Sequence, residues 1–236
     1  MMKLTTRQIS MLTLALSLGF ATTGLTGCET DSDRQISAGQ ACLDSASTPT
    51  QADQCIAIVQ GLTSPEASLI RCSANFVAQG FTASRIASSI SKVKSGTGTS
   101  QLAGMMSYLV FGSTTSGNHT ADMAVINCQA SGVRSMLRLA LAAQMATTIA
   151  GIGGIPVNAA DPAAAMATAI SSFAGSSTPA QQTALGNTAV LAQSSYCASG
   201  SSYASTDVCT KLSAAVNVGG GAQAIGARLA TLLNTP

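Results

Sequence analysis

The chain predicts an all-α fold in a single domain, on three observations. Apolar residues recur at helical spacing almost throughout residues 37–236, and helix-start signals precede several of these runs. No stretch alternates with period two for long enough to make a convincing strand. A length of 236 residues suits one domain with a real core and is tight for two. The pattern corresponds to roughly eight to ten short or medium helices, arranged in one compact body.

The elements follow in order. Ser47-Thr48-Pro49-Thr50 reads as a turn between two antiparallel helices. Ser64-Pro65-Glu66 places a capping Ser, a Pro at the first helical position and an acid in the first turn, ahead of the stripe Leu69, Cys72, Phe76 and Val77. Ile86, Ile90 and Val93 form a second stripe, and Leu102, Met105, Met106 and Leu109 a third. Ser95-Gly96-Thr97-Gly98 and 111–118 (FGSTTSGN) read as exposed loops, the latter followed by a helix cap at Thr120. Met136, Leu137, Met145, Ile149 and Ile152 share one face of a long helix that closes on Gly151-Ile152-Gly153-Gly154. Asp161-Pro162 opens a helix carrying Met166, Ile170 and Phe173, and Thr178-Pro179-Ala180-Gln181 matches a capping box. After a break at 219–221, Ile225, Leu229 and Leu232 line a last helix. The start signals at Ser64, Asp161 and Thr178 share no interval, so a regular tandem repeat is not supported; irregular helix-hairpin pairs fit the pattern.

The first residues have a different character. Lys3 and Arg7 precede an apolar run at 9–21 (ISMLTLALSLGFA), of the length of a secretory core and short for a bilayer span. Leu25-Thr26-Gly27-Cys28 follows. This box, in this place, resembles the lipobox of bacterial lipoproteins. The resemblance implies that 1–27 is a signal peptide that is removed, that the Cys28 thiol carries diacylglycerol and that its freed amine is acylated. It covers only this end of the chain and implies no activity for the rest. Residues 28–36 then read as a lipidated terminus and a short polar tether (ETDSDRQI after Cys28), at most roughly 28 Å when extended. Removing Lys3 and Arg7 from eleven basic residues leaves as many as the nine acidic ones, so the mature chain is formally neutral. Acyl chains on Cys28 hold a protein to the membrane at about 0.8 kcal/mol per buried CH₂. In lipoproteins Asp at the second mature position is the residue known for inner-membrane retention, so with Glu29 there the resemblance implies the outer membrane of a Gram-negative envelope.

Export would put the other six cysteines where disulfides form. Cys42 and Cys55 flank the 47–50 turn, and Cys197 and Cys209 flank the 199–205 stretch (SGSSYAS); Cys72 and Cys128 remain for a long-range pair. The expected bridges are thus Cys42–Cys55, Cys72–Cys128 and Cys197–Cys209. A zinc site lacks a C-x-x-C pair and would have only His119 as a second ligand type.

Charged residues make up 8% of the chain, against about a quarter in an average soluble domain. No basic face is present for nucleic acid. Ser116-Gly117-Asn118-His119 spells the name of a hydrolase superfamily whose letters come from separate blocks, and no G-x-S-x-G elbow occurs. His119, the single histidine, reads as a solvated loop residue. Asp161, Asp53 and Glu66 read as helix-start residues rather than paired catalytic carboxylates. The Gly run at 219–221 follows a helix and lacks the Lys-Ser/Thr ending of a phosphate loop. Arg134 and Arg138, four apart, read as a solvated face, with an anionic headgroup or partner carboxylates as the rival. No catalytic, cofactor or metal-binding residue is assigned.

From 139 to 206 only Asp161 is charged. A membrane span over 139–160 conflicts with Gln144, three Gly and Pro156; a hydroxyl- and amide-covered surface or a neutral interface on helices 161–174 and 178–196 explains the stretch better, with Gln181 and Thr188 as positions where added Lys would weaken association. The expectation for function is a membrane-anchored, non-enzymatic envelope module that binds a protein partner or itself. The alternative is a lipid or small-molecule carrier with a Met- and Leu-lined interior, and a third reading is an envelope hydrolase.

Overall fold

The computed structural model describes residues 30–81, 99–112, 115–155, 161–197 and 206–233. Among these there are ten helices and no strand. They are α1 (Asp31–Ser45), α2 (Pro49–Ile58), α3 (Pro65–Ala78), α4 (Thr99–Leu109), α5 (Thr115–Ala130), α6 (Arg134–Ile152), α7 (Pro162–Ser176), α8 (Pro179–Tyr196), α9 (Asp207–Val216) and α10 (Gly221–Leu233). The Leu25-Thr26-Gly27-Cys28 box, the Ile86/Ile90/Val93 stripe and the 95–98 and 199–205 segments lie outside the described residues.

Local chemistry starts these helices. Thr30, Thr48, Ser64, Asp161, Thr178 and Thr206 each accept the N–H of the third helical residue. Pro49, Pro65, Pro162 and Pro179 occupy first positions, where a missing N–H costs nothing. Thr30 and Thr48 complete reciprocal capping boxes with Asp33 and Gln51. The turn between α1 and α2 is therefore only 46–48, because Pro49 is already helical. Asp31 to Ile36, expected as extended tether, form the first turns of α1 instead. At the other end of α3, Gly80 at φ 72° lets the Phe81 N–H reach the Phe76 carbonyl at 3.0 Å and brings the two rings to 5.4 Å. Gly154 does the same for α6, where the Ile155 N–H bonds the Ala150 carbonyl at 3.0 Å.

The expected loop at 111–118 is a correction. Phe111 is fully buried, edge-on to Phe76 at 5.2 Å and to Phe81 at 5.3 Å. Its N–H donates to Thr147 Oγ1 at 2.8 Å, and the Gly112 N–H donates to Gln79 Oε1 at 3.0 Å. Helix α5 begins at Thr115, so Ser116-Gly117-Asn118-His119 is helical and Thr120 is interior, not a cap. The attraction of one large ring for two others outweighs the loop-like composition around it. Gly117 supplies space: a Cβ there would collide with the Gly112 carbonyl.

Helix α6 occupies the middle, in contact with α4, α5, α7 and α8. It is long and apolar enough to cross a membrane by length and composition, a property shared by helices at the centre of water-soluble bundles. The main core runs from α3 to α10 and is rich in alanine, including Ala140, Ala143, Ala146 and Ala150 along α6 itself. A smaller core of Val59, Ala67 and Ile70, with Ile36 and Leu62 against it, joins α1, α2 and α3. Small side chains let the helices approach closely. A Cβ on Gly186 of α8 would meet the Ala222 carbonyl of α10, and one on Gly226 of α10 would meet the Gln182 carbonyl of α8. Each glycine thus sits over the residue four before the other, a reciprocal backbone-to-backbone seat.

Cysteines pair as Cys42–Cys55, Cys72–Cys128 and Cys197–Cys209, with Cα separations of 5.5, 4.9 and 5.4 Å. These are the pairs that the spacing predicts. They staple α1 to α2, α3 to α5, and the end of α8 to α9. By chain entropy alone, the loop of 56 closed by Cys72–Cys128 contributes about 4 kcal/mol and the loops of 13 and 12 about 3 kcal/mol each.

The α8–α10 seat generates a paired prediction. Gly186→Ala drives a Cβ into fixed backbone and should lower stability by about 2 kcal/mol. Gly175→Ala, in α7 with open space around its Cβ, should raise it by about 0.5 kcal/mol. Urea unfolding followed by circular dichroism measures both; equal effects would contradict the close seat.

Candidate functional site

Two half-buried arginines carry much of the specific polar geometry. Arg71 on α3 donates through one nitrogen to the Val59 and Leu62 carbonyls at 2.7 and 2.8 Å, where α2 ends. Its other nitrogens reach Ser68 Oγ at 3.0 Å and Asn127 Oδ1 of α5 at 3.1 Å. Arg138 on α6 donates to the Ser195 carbonyl in the last turn of α8 at 2.8 Å, and its guanidinium lies 5.8 Å from the centre of the Tyr196 ring. The Tyr196 hydroxyl in return donates to the Arg138 carbonyl at 2.6 Å. Both cations therefore occupy the negative end of a neighbouring helix. Arg138 is not part of a solvated face, which corrects the expectation; Arg134, one turn earlier, is exposed. A second polar link runs Asp122–Gln144–Thr188, at 2.6 and 3.1 Å, across α5, α6 and α8.

Between α4, α6, α9 and α10 lies a shallow groove lined by Met106, Met145, Val208, Leu212, Leu229 and Leu233, with Lys211 among them. Its cavity volume is about 30 Å³, far below that of a ligand pocket. Met145 supplies part of the Met- and Leu-lined space anticipated from the sequence, but Met105 points outward at 38% exposure.

The remaining residues singled out from the sequence fall in different places. Cys28 is outside the described residues. His119 is exposed on the first turns of α5. Glu66 lies in the first turn of α3, and its carboxyl is held below the ordinary range by its own backbone N–H and by Ser64. Asp33 is held low in the same way by the Thr30 hydroxyl and then by the Thr30 N–H. Asp161 caps α7. Among the described residues, no group of three His, Cys, Asp or Glu side chains is gathered as a metal would need. Gly219, Gly220 and Gly221 all adopt positive φ and link α9 to α10.

The helices expected to face a partner each bury one side against the body and leave the other outside. α7 packs on α4, α6 and α10, and α8 packs on α6, α9 and α10. Thr188 is 3% exposed and bonded to Gln144, so a charge there would disrupt the body and cannot probe an interface. Of its large apolar side chains α8 leaves Val190 and Leu191 outside, 39% and 41% exposed, beside exposed Ala184, Asn187 and Ser194. On α5, Met123 and Ile126 are likewise exposed, one turn apart.

Arg71→Lys replaces a planar fork with one ammonium and strands several of its acceptors. Stability should fall by about 2 kcal/mol in urea unfolding. An unchanged midpoint would show that these bonds contribute nothing net.

Comparison with known proteins returns no resemblance to set beside this geometry: no family model, no curated protein and no solved structure matches the chain.

Proposed function

We propose that the chain is a lipid-anchored protein of the bacterial cell envelope, acting as a non-enzymatic helical module that docks a protein partner or a second copy of itself. The anchor rests on the Leu25-Thr26-Gly27-Cys28 box behind its apolar run. The docking role rests on one observation above all: α8 is held on three sides by α6, α9 and α10, yet presents Val190 and Leu191 together to solvent. Neighbouring large apolar side chains on a rigid helix, flanked by uncharged residues, desolvate at little cost. Outer-membrane residence belongs to the same proposal, through Glu29.

A second reading has its own support. The groove beside Met106 and Met145 has flexible thioether walls, which adapt to an aliphatic chain. Native mass spectrometry of gently purified protein separates the two, since a carrier retains a non-covalent lipid mass beyond the acyl chains on Cys28 and a docking module does not.

The direct test uses living cells fed an alkyne fatty acid. Wild type should take the label and float with membranes, and Cys28→Ala should do neither. A photo-crosslinker at Leu191 should then capture one defined protein, or a second copy, and Val190→Lys should abolish that product while helical content stays unchanged. Equal labelling of Cys28→Ala contradicts the anchor; a crosslinking pattern indifferent to Val190→Lys contradicts the docking face.

A further inference from the structure

The anchor and the body are joined more tightly than a nine-residue tether would allow. Only Glu29 and Thr30 separate Cys28 from α1, about 10 Å at full extension. Thr30 is itself fixed, since its N–H donates to the Asp33 carboxylate at 3.0 Å and its hydroxyl accepts the Asp33 N–H at 3.2 Å. Helix α1 is fastened to its neighbours in turn. Gly39 seats against Val59 and Ile70, and Cys42 is bonded to Cys55.

Short connections make α1, α2 and α3 an up-down-up set, in which every pair is in contact. The α2–α3 corner at 59–64 therefore returns toward the end where α1 begins. The Asp33 carboxylate acts on Glu66 across that end, as the topology requires. The corner and its flanks present Ile58 at 36% exposure, together with exposed Gln60, Gly61, Thr63 and Pro65. The α1–α2 turn, with exposed Thr50, lies at the opposite end.

We propose that this end of the molecule, the start of α1 with the α2–α3 corner, is a docking face for a lipid surface and rests on the headgroups when Cys28 is acylated. The inference depends on the lipid-anchor reading and deepens it by giving the body one orientation. Two residues of slack are too few to let the body turn over. The charge of the face selects the lipid: Asp31, Asp33 and Glu66 surround it, opposed by Arg34, 3.5 Å from Asp31, and by the half-buried Arg71 on the Val59 and Leu62 carbonyls, which leaves the acids in excess. A zwitterionic surface therefore fits, while anionic headgroups repel this end over a Debye length of about 10 Å at 0.1 M salt.

The chain contains no Trp, so a single introduced Trp reports its own position. Mature acylated protein carrying Gly61→Trp, where a Cβ meets nothing within 4 Å, is reconstituted in phosphatidylcholine vesicles containing a headgroup-nitroxide lipid. Thr50→Trp serves as the distal control. Gly61→Trp should be quenched several-fold more strongly than Thr50→Trp, and replacing part of the phosphatidylcholine with phosphatidylglycerol at low salt should shrink the difference. Amide exchange at 60–64 of the wild-type protein, slowed by the vesicles while 46–50 is unaffected, gives the same answer without a substitution. Equal quenching at both positions, or stronger quenching at Thr50→Trp, in protein whose mass shows acylated Cys28 overturns the orientation alone. Absence of the acyl mass overturns the orientation and the anchor together.

Discussion

Close approach of helix backbones is the constraint on which this structure depends. Aromatic side chains make up 3% of the chain, so the core cannot be filled by bulk. It is filled by reducing the distance between helices, which requires Ala and Gly where helices cross. The reciprocal seat of Gly186 and Gly226 is the tightest expression of this, and the alanines along α6 extend it to the centre of the bundle. Close backbones gain dispersion contacts and weak Cα–H···O interactions, but each small residue buries less apolar area than a leucine would. Three disulfides offset that deficit by restricting the unfolded chain.

Scarcity of charge follows the same logic. Two of the few cations, Arg71 and Arg138, are placed at the C-terminal carbonyls of neighbouring helices, where each ties helices together. Three phenylalanines, Phe76, Phe81 and Phe111, are concentrated in one cluster, beside the Cys72–Cys128 bridge in the same core. The body is consequently well determined at a few points and otherwise smooth, with hydroxyl and amide groups returned to helix carbonyls, as at Thr168, Ser171 and Thr183. Against a smooth neutral exterior the exposed large apolar side chains stand out, and the proposed docking role uses the pair on α8, Val190 and Leu191.

Much of this was legible in the sequence, for reasons that are local. Ser64-Pro65, Asp161-Pro162 and Thr178-Pro179 start helices because capping needs only residues three apart. Cysteine spacing narrowed the pairing because a short turn places its flanks side by side. What was not legible depended on distant partners. Phe111 looks like a loop residue until Phe76 and Phe81 are beside it. Arg138 looks solvated until the end of α8 arrives over it, and Thr188 looks available until Gln144 bonds it. Arg71 escaped notice because one Arg beside an apolar stripe carries no local signal of the two carbonyls it will hold. The groove between α4, α6, α9 and α10 gathers residues far apart in sequence, so only the Met content hinted at it.

The most direct measurement of the central claim is a set of backbone-to-backbone nuclear Overhauser effects at the α8–α10 crossing. With uniformly labelled protein, the Gly186 Hα protons should show strong cross-peaks to the backbone and Hα of Ala222, and Gly226 Hα should show them to Gln182. Helices held apart by intervening side chains would show only side-chain cross-peaks at this crossing, and that result would contradict a core built on close approach.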